Sequence, residues 1–260
     1  MLSYNVKRYL RAIQTWFPFL QDTRYWITSR FMKLTKMPHE PDFYALASFN
    51  PLPDEVLIDV GANRGMTVIS MLLFENLKNN IVAFEPNPLV FNKLTNNFLI
   101  CNNSRVSLYN CGLSDQIGQR TLYVPFYGKW IFDGLASLDH AAAKNWLNKE
   151  RFWRFKQDKV SVESHVCELR RLDDFNLNPY FIKIDVQGHE LQVLKGAENT
   201  IRQYHPILLI ECVTEEICAF LSPFGYLTFA YSGGEFREGA GCLNTFCMTP
   251  EKYEALNFHI

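Results

Sequence analysis

The sequence has no uninterrupted apolar run approaching the roughly 18 residues of a bilayer-spanning helix, so no such helix is expected. It has no excess of either charge. With 26 Lys and Arg against 27 Asp and Glu, an all-over field for nucleic acid is not expected. The 7 cysteines are odd in number and none form a CxxC pair. Cys111, Cys212 and Cys247 lie in apolar, strand-like runs, where a free thiol acts as a small hydrophobe. The chain therefore reads as reduced and cytoplasmic, without a disulfide framework. Its start, Met1 to Lys7, lacks the apolar stretch and cleavage site of a signal peptide. Repeats and low-complexity tracts are absent from the 260 residues, and a 48% hydrophobic share excludes a wholly disordered chain.

Aromatic residues are abundant, at 15% of the chain, and unevenly placed. Eleven of them fall in residues 1–50 and nine in residues 123–155. Residues 1–50 read as an N-terminal arm distinct from a domain over 51–260. From Met1 to Met37 the arm carries seven Lys and Arg and one acid, Asp22. Two helices broken near Pro18 fit its pattern, and Pro38-His39-Glu40-Pro41 ends it. Such an arm either packs on the main domain as an accessory helical layer or rests on an anionic membrane surface.

From Pro53 onward strands and helices alternate. The short apolar runs Glu55–Val60, Ile81–Glu85, Arg105–Cys111, Tyr180–Asp185 and Pro206–Glu211 suit buried parallel strands. Helices are expected over Gly65–Leu77, from Pro88 (capped by Asn87) to about Ile100, and from the end of the fourth strand through Ile201. Tyr226–Tyr231 and Asn244–Met248 suggest a closing antiparallel pair. This alternation implies an α/β, doubly wound, mostly parallel sheet with helices on both faces.

The first strand-to-helix turn reads Asp59-Val60-Gly61-Ala62-Asn63-Arg64-Gly65. A glycine motif has meaning in that context. Gly61 permits the turn and a close backbone approach, and Gly65 keeps the helix start near the sheet. Asp59 is placed to face a cationic or amine group. Dinucleotide enzymes have a middle glycine that makes room for pyrophosphate; here Asn63 stands there. Glu85 ends the second strand, where an acid accepts hydrogen bonds from a ribose diol. A ribose without a pyrophosphate points to S-adenosylmethionine rather than NAD. After the third strand, Leu113-Ser114-Asp115 offers Asp115 as an adenine-edge contact, although a turn cap explains Ser-Asp equally well.

Farther on, Lys183 and Asp185 share a face of an otherwise buried strand, where charge is costly unless paired or used. Gly188 allows a turn, and His189 and Glu190 open the next helix. Together with the glycine loop DVGANRG, FEPNP (Phe84 to Pro88) and Leu113-Ser114-Asp115, the block IKIDVQGHELQVLKGA (Ile182 to Ala197) resembles the FkbM family of S-adenosylmethionine-dependent methyltransferases. The resemblance runs from about Val56 to Tyr226. It implies a class I methyltransferase, Rossmann-like fold with a seven-stranded sheet, S-adenosyl-L-methionine as cofactor, and O-methylation of hydroxyls on sugars or other secondary metabolites. The family commonly has Glu where this chain has Gln187, which leaves a hydrogen-bonding role there but not a charged one.

The site expected from these residues has Asp59, Gly61, Asn63, Gly65, Glu85 and Asp115 around the cofactor. Asp185, His189 and Lys183 are the catalytic candidates, with Asp185 orienting the acceptor or taking its proton and His189 the competing base. Gln187 and Glu190 are placed on the substrate side. An aromatic segment over 123–165 is expected to cover the mouth, with Trp130 and Phe132 meeting the acceptor. Trp146 and Trp153, seven apart, fit one helix's core stripe. Asp185 with Glu211 makes a poor metal site, and no metal is expected. Two other classes remain in view: an NAD-dependent oxidoreductase, and a non-catalytic scaffold docking on membranes through the arm.

Overall fold

The computed structural model describes residues 4–257; residues 1–3, which begin the stretch read for a signal peptide, lie outside the described residues. Two helices open the chain, α1 (Tyr4–Gln14) and α2 (Leu20–Thr35), with Pro18 in the turn between them. A 3-10 helix over Pro41–Ser48 follows and buries Phe43, Ala45 and Leu46. The first α/β units are β1 (Val56–Val60), α3 (Met66–Leu72), β2 (Ile81–Phe84), α4 (Pro88–Thr95), α5 (Phe98–Cys101) and β3 (Val106–Tyr109). The middle of the chain comprises β4 (Gly112–Leu113), β5 (Gly118–Tyr127), β6 (Trp130–Ile131), α6 (His140–Asn145) and β7 (Val160–Arg170). It closes with β8 (Pro179–Ile184), α7 (Glu190–Lys195), α8 (Glu198–Tyr204), β9 (Ile207–Glu211), α9 (Glu215–Leu221), β10 (Leu227–Ser232), β11 (Glu235–Glu238), β12 (Asn244–Met248) and α10 (Pro250–Asn257).

The main sheet has the order β11-β10-β12-β9-β8-β1-β2-β3. β9, β8, β1, β2 and β3 run parallel, and β12, β10 and β11 are antiparallel to their neighbours. Seven of these strands make the expected sheet. The eighth, β11, is a charged edge strand reached through Gly233-Gly234, both at positive φ as a tight hairpin requires.

Every residue of β8 is buried, because both faces of the sheet are covered. Phe181, Leu57, Ile81 and Leu209 pack to one side with the 3-10 helix and α3. Ile182, Ile184, Ile58 and Ile210 pack to the other with α7, α8 and α9. Period-2 alternation puts Lys183 on the Phe181 side, facing the end of the arm.

Three sequence expectations change. The helix drawn from Pro88 to Ile100 is two helices, because the Asn97 side chain accepts from Leu99 N at 3.2 Å and starts α5 anew. The helix after β8 breaks at Gly196, where an added Cβ would collide with the Ser114 carbonyl. A second sheet, β4-β7-β5-β6, stands beside the expected one, and in it β5 and β7 pair antiparallel from Gly118↔Leu169 to Tyr127↔Val160.

Trp146 and Trp153 do not share a helix, since α6 ends at Asn145. Trp153 packs instead against Tyr9 of α1, the rings tilted by 42° with centroids 4.5 Å apart. Arg8 Nη2 donates to the carbonyls of Lys149 (2.8 Å) and Phe152 (3.2 Å), and Arg11 lies over the Trp146 ring. α2 is tied to the domain by Gln21, which donates to Ile131 O at 2.9 Å, and by Met32 in the core.

Candidate active site

The carboxyl ends of β1, β2 and β8 meet the inner face of the second sheet around a part-open cavity. Three left-handed residues, Gly61 (φ 86°), Asn63 (φ 48°) and Gly65 (φ 85°), shape the loop after β1. At Gly61 a Cβ would strike the Asp185 carbonyl, so glycine is what allows β1 and β8 to end side by side. Gly65 differs from expectation. A Cβ there would meet Ile100 and Leu94, so it admits α4 and α5 rather than the sheet.

Glu85 is buried beneath this loop. Its Oε2 accepts from Asn63 N and its Oε1 from Asn87 N, both at 2.8 Å. Burial pushes its carboxyl up to about 7, against the pull of those two N–H groups. Asp59 lies on β1 beside Lys183 of β8. Both its carboxylate oxygens lack a hydrogen-bond partner among the described residues, and burial raises it to about 8 although Lys183 opposes. Asn63 Oδ1 is likewise buried and unpartnered, and of the two only Asn63 lines the cavity; Asp59, expected beside the cofactor, lies behind the strand end with Lys183. Buried polar atoms without partners are uncommon enough to mark where a polar ligand belongs.

Asp185, Gln187 and His189 also line the cavity. Gln187 Nε2 donates to Asp185 Oδ1 and to Glu211 Oε2, each at 3.0 Å. The two carboxyls also hydrogen-bond each other, and that bond, then burial, raises Glu211 to about 8. Burial alone would raise Asp185 as well. The bond from Glu211, the Lys183 ammonium and the Gln187 amide together hold it below its ordinary value. The shared proton therefore sits on Glu211, and Asp185 is the anion. Lys183, buried with Nζ 3.8 Å from Asp185 Oδ2, is the countercharge behind the pair and does not line the cavity.

His189 Nε2 is 3.0 Å from Ser114 Oγ, which donates to Asp115 Oδ1 at 3.1 Å. Ser114 spends its proton on Asp115, so His189 donates from Nε2 and keeps its lone pair on Nδ1. Burial lowers its pKa, so the ring is neutral near pH 7. Asp115 thus acts through Ser114; Gly112 and Leu113, not Asp115, line the cavity. Glu190 also sits elsewhere than expected. It is buried, and its Oε1 accepts from Val186 N (3.2 Å) and Gly188 N (3.1 Å), clamping the turn that carries Gln187.

Trp130 and Phe132 do not line the cavity either. Phe132 packs with Tyr127, Phe152 and Trp146, and Trp130 is buried in β6. The residues just after them, Asp133 to Leu138, form the cover. Arg64 holds that cover down: its Nε meets Asp133 Oδ2 and its Nη1 meets Asp22 Oδ1, both at 2.5 Å, with the Tyr25 ring beneath. Sequence reasoning also missed the arm's contribution. His39, driven down to about 4 by burial and by Lys183, bonds Ser70 Oγ through Nδ1, while Asn244 donates to Glu40 and Asp42. Among the described residues no three His, Cys, Asp or Glu converge as a metal site.

A parallel sheet of this order, with a glycine loop after its first strand and an acid closing its second, defines the class I methyltransferase fold. The chain belongs to the FkbM methyltransferase family, since residues 59–235 match the model of the methyltransferase FkbM domain. It is 30% identical over 177 residues to Methyltransferase 1 of Beauveria bassiana, covering 65% of this chain and 67% of that protein. Hexuronic acid methyltransferase AglP of Haloferax volcanii is 29% identical over 157 residues, with 60% of this chain and 55% of that protein covered. A crystal structure of methyltransferase FkbM from Methylobacillus flagellatus superposes with a TM-score of 0.46 at 18% identity, covering 75% of this chain and 44% of that one.

Proposed function

We propose that the protein is an S-adenosylmethionine-dependent O-methyltransferase whose acceptor is a hydroxyl of a sugar or related secondary metabolite. The observation that carries this reading is one cavity lined both by Glu85 and the glycine loop and by Asp185, Gln187 and His189. The residues present fit the cofactor. Glu85 keeps free lone pairs for a ribose diol, Asn63 offers an unpartnered amide oxygen, and Leu122, Leu138 and Leu169 give an apolar wall for a purine. When bound, S-adenosylmethionine supplies a methyl group already activated for displacement. The name of the Haloferax relative favours a sugar acceptor.

On this reading the chain's own task is placement, which is worth on the order of 7–11 kcal/mol in the best cases. The anionic Asp185 accepts a hydrogen bond from the acceptor hydroxyl and aims its lone pair. Gln187 and protonated Glu211 fix the carboxylate's rotamer. Once the C–O bond forms, the oxygen's proton is strongly acidic, so a carboxylate of low basicity suffices to take it. His189 Nδ1 is the second acceptor in reach of the cavity. Calorimetry of the full chain should show S-adenosylhomocysteine binding and no NAD binding, followed by transfer of labelled methyl to a sugar hydroxyl in a screen of sugars, polyketides and lipids. A label stable to mild alkali is expected of an ether. NAD binding in place of S-adenosylhomocysteine, or a base-labile ester label, would overturn the reading.

A further inference from the structure

α2 has two faces, and only one of them is used. Gln21, Ser29 and Met32 are buried against the domain, and Tyr25 lies under Arg64. On the opposite side Leu20, Ile27, Phe31 and Leu34 recur at steps of seven, four and three, which align them in one stripe along a helix. All four are exposed, Phe31 at 56% and Leu34 at 84%. The turn leading into the helix continues the stripe with Trp16 (64%), Phe17 and Phe19 (72%) around Pro18. A contiguous apolar surface of this kind marks an interaction site.

The charge around the stripe says what covers it. Arg24 borders it on one side of the helix wheel, Arg30 and Lys33 lie on the other, and Lys36 follows the last turn. The single acid of α2, Asp22, lies off the stripe and is neutralised by Arg64 Nη1 and by Lys93 Nζ at 2.6 Å. An apolar stripe flanked by cations, with tryptophan and phenylalanine at one end, is the pattern of a helix lying in a membrane interface. A second copy of α2 on the same stripe would bring these cations against each other.

We infer that the outer face of α2, with the Trp16–Phe19 turn, docks the protein on an anionic lipid surface. The helix lies parallel to the membrane, its stripe among the acyl chains and its cations at the headgroups; among the described residues no helix is long and apolar enough to cross. This inference is independent of the methyl acceptor.

The test is co-sedimentation of the full chain with vesicles of phosphatidylcholine alone and with about one-third phosphatidylglycerol. Binding is expected to the anionic vesicles only, and to weaken in high salt. Replacing Leu20, Ile27, Phe31 and Leu34 together by Ser should cut partitioning by tenfold or more. Arg24→Gln with Lys33→Gln should weaken it by about an order of magnitude, each cation near the surface being worth roughly fivefold. All six side chains point away from the core, so melting temperature and S-adenosylhomocysteine affinity should hold in both variants, keeping lost binding distinct from lost folding. Failure to bind anionic vesicles, equal binding to both vesicle types, or a dimer in light scattering that the Ser variant dissolves would each overturn the inference.

Discussion

Asp185 is the residue on which the acid–base reading turns, because its ionised carboxyl lines the cavity beside Gln187 and His189. Its neighbours divide the labour. Glu211 stores the proton, Gln187 bridges the two carboxyls, and Lys183 sits behind them. Asp185→Asn keeps the shape and removes the anion. Turnover at saturating cofactor should fall on the order of 100-fold or more, the usual scale for losing a positioned proton acceptor. S-adenosylhomocysteine affinity by calorimetry should stay within a few-fold, since Glu85 and the glycine loop are untouched. His189→Ala should cost less, roughly tenfold, if the carboxylate is the principal acceptor. Equal and small losses in both variants would remove the assignment. Much of this was readable in the block Ile182 to Ala197, where Lys183 and Asp185 stand out on a buried strand. Glu190 was not, because an acid at a helix start looks the same whether it faces substrate or clamps the turn before it. Aromatic rings misled in a similar way: Trp130 and Phe132 serve packing, and the small residues after them form the cover.

Among the elements, the loop after β1 does two mechanical jobs. Gly61 lets two strand ends touch, and Arg64 fastens α2 and the cover to the loop. Gly61→Ala adds a methyl against the Asp185 carbonyl and forces an L residue to φ 86°, so both the steric and the backbone cost apply. Gly128 also has positive φ, but open space surrounds its Cβ position. Urea denaturation should show Gly61→Ala losing at least about 3 kcal/mol, and Gly128→Ala only the backbone cost of about 1–2 kcal/mol. Similar midpoints would mean that the β1–β8 approach is not tight. Arg64→Met leaves Asp133 buried without its cation, a change of about 3 kcal/mol when a buried pair is broken. The arm should then be cut faster by protease between α1 and α2, with cleavage followed by gel against the parent chain. The strands of the parallel sheet were legible because unbroken apolar runs need cover on both faces. The second sheet was not: β7 is half exposed, its pattern is mixed, and its partner lies across a 30-residue insertion. His39 and Glu40 reach the site only through the arm's path across the fold, which spacing along the chain does not encode.

For the molecule as a whole, the aromatic excess joins two segments rather than marking two functions: Tyr9 packs against Trp153 and Arg11 covers Trp146, so the arm is packed on the segment that follows the cover of the cavity. The same compactness concentrates carboxyls at the strand ends, and that has a consequence for pH. Asp59, Glu85 and Glu211 are raised from 3.8, 4.5 and 4.5 to about 8, 7 and 8. Each binds its proton more tightly folded than unfolded, so its contribution to stability is complete below about pH 4 and is lost as pH rises to its folded value. Asp185 has the opposite sign, held below 3.8, and matters only at lower pH. The ligand-free protein should therefore lose stability steadily from about pH 5 to pH 8 and then level off. Melting temperature across that range reads the slope, and a drop of several degrees is the expected scale. Asp59→Asn removes one of the three groups and should flatten the curve while raising the melting temperature at pH 9, because no buried unpartnered anion then has to form. A profile that rises from pH 5 to 8, or one that Asp59→Asn leaves unchanged, would show that the strand-end carboxyls are not protonated in the folded protein.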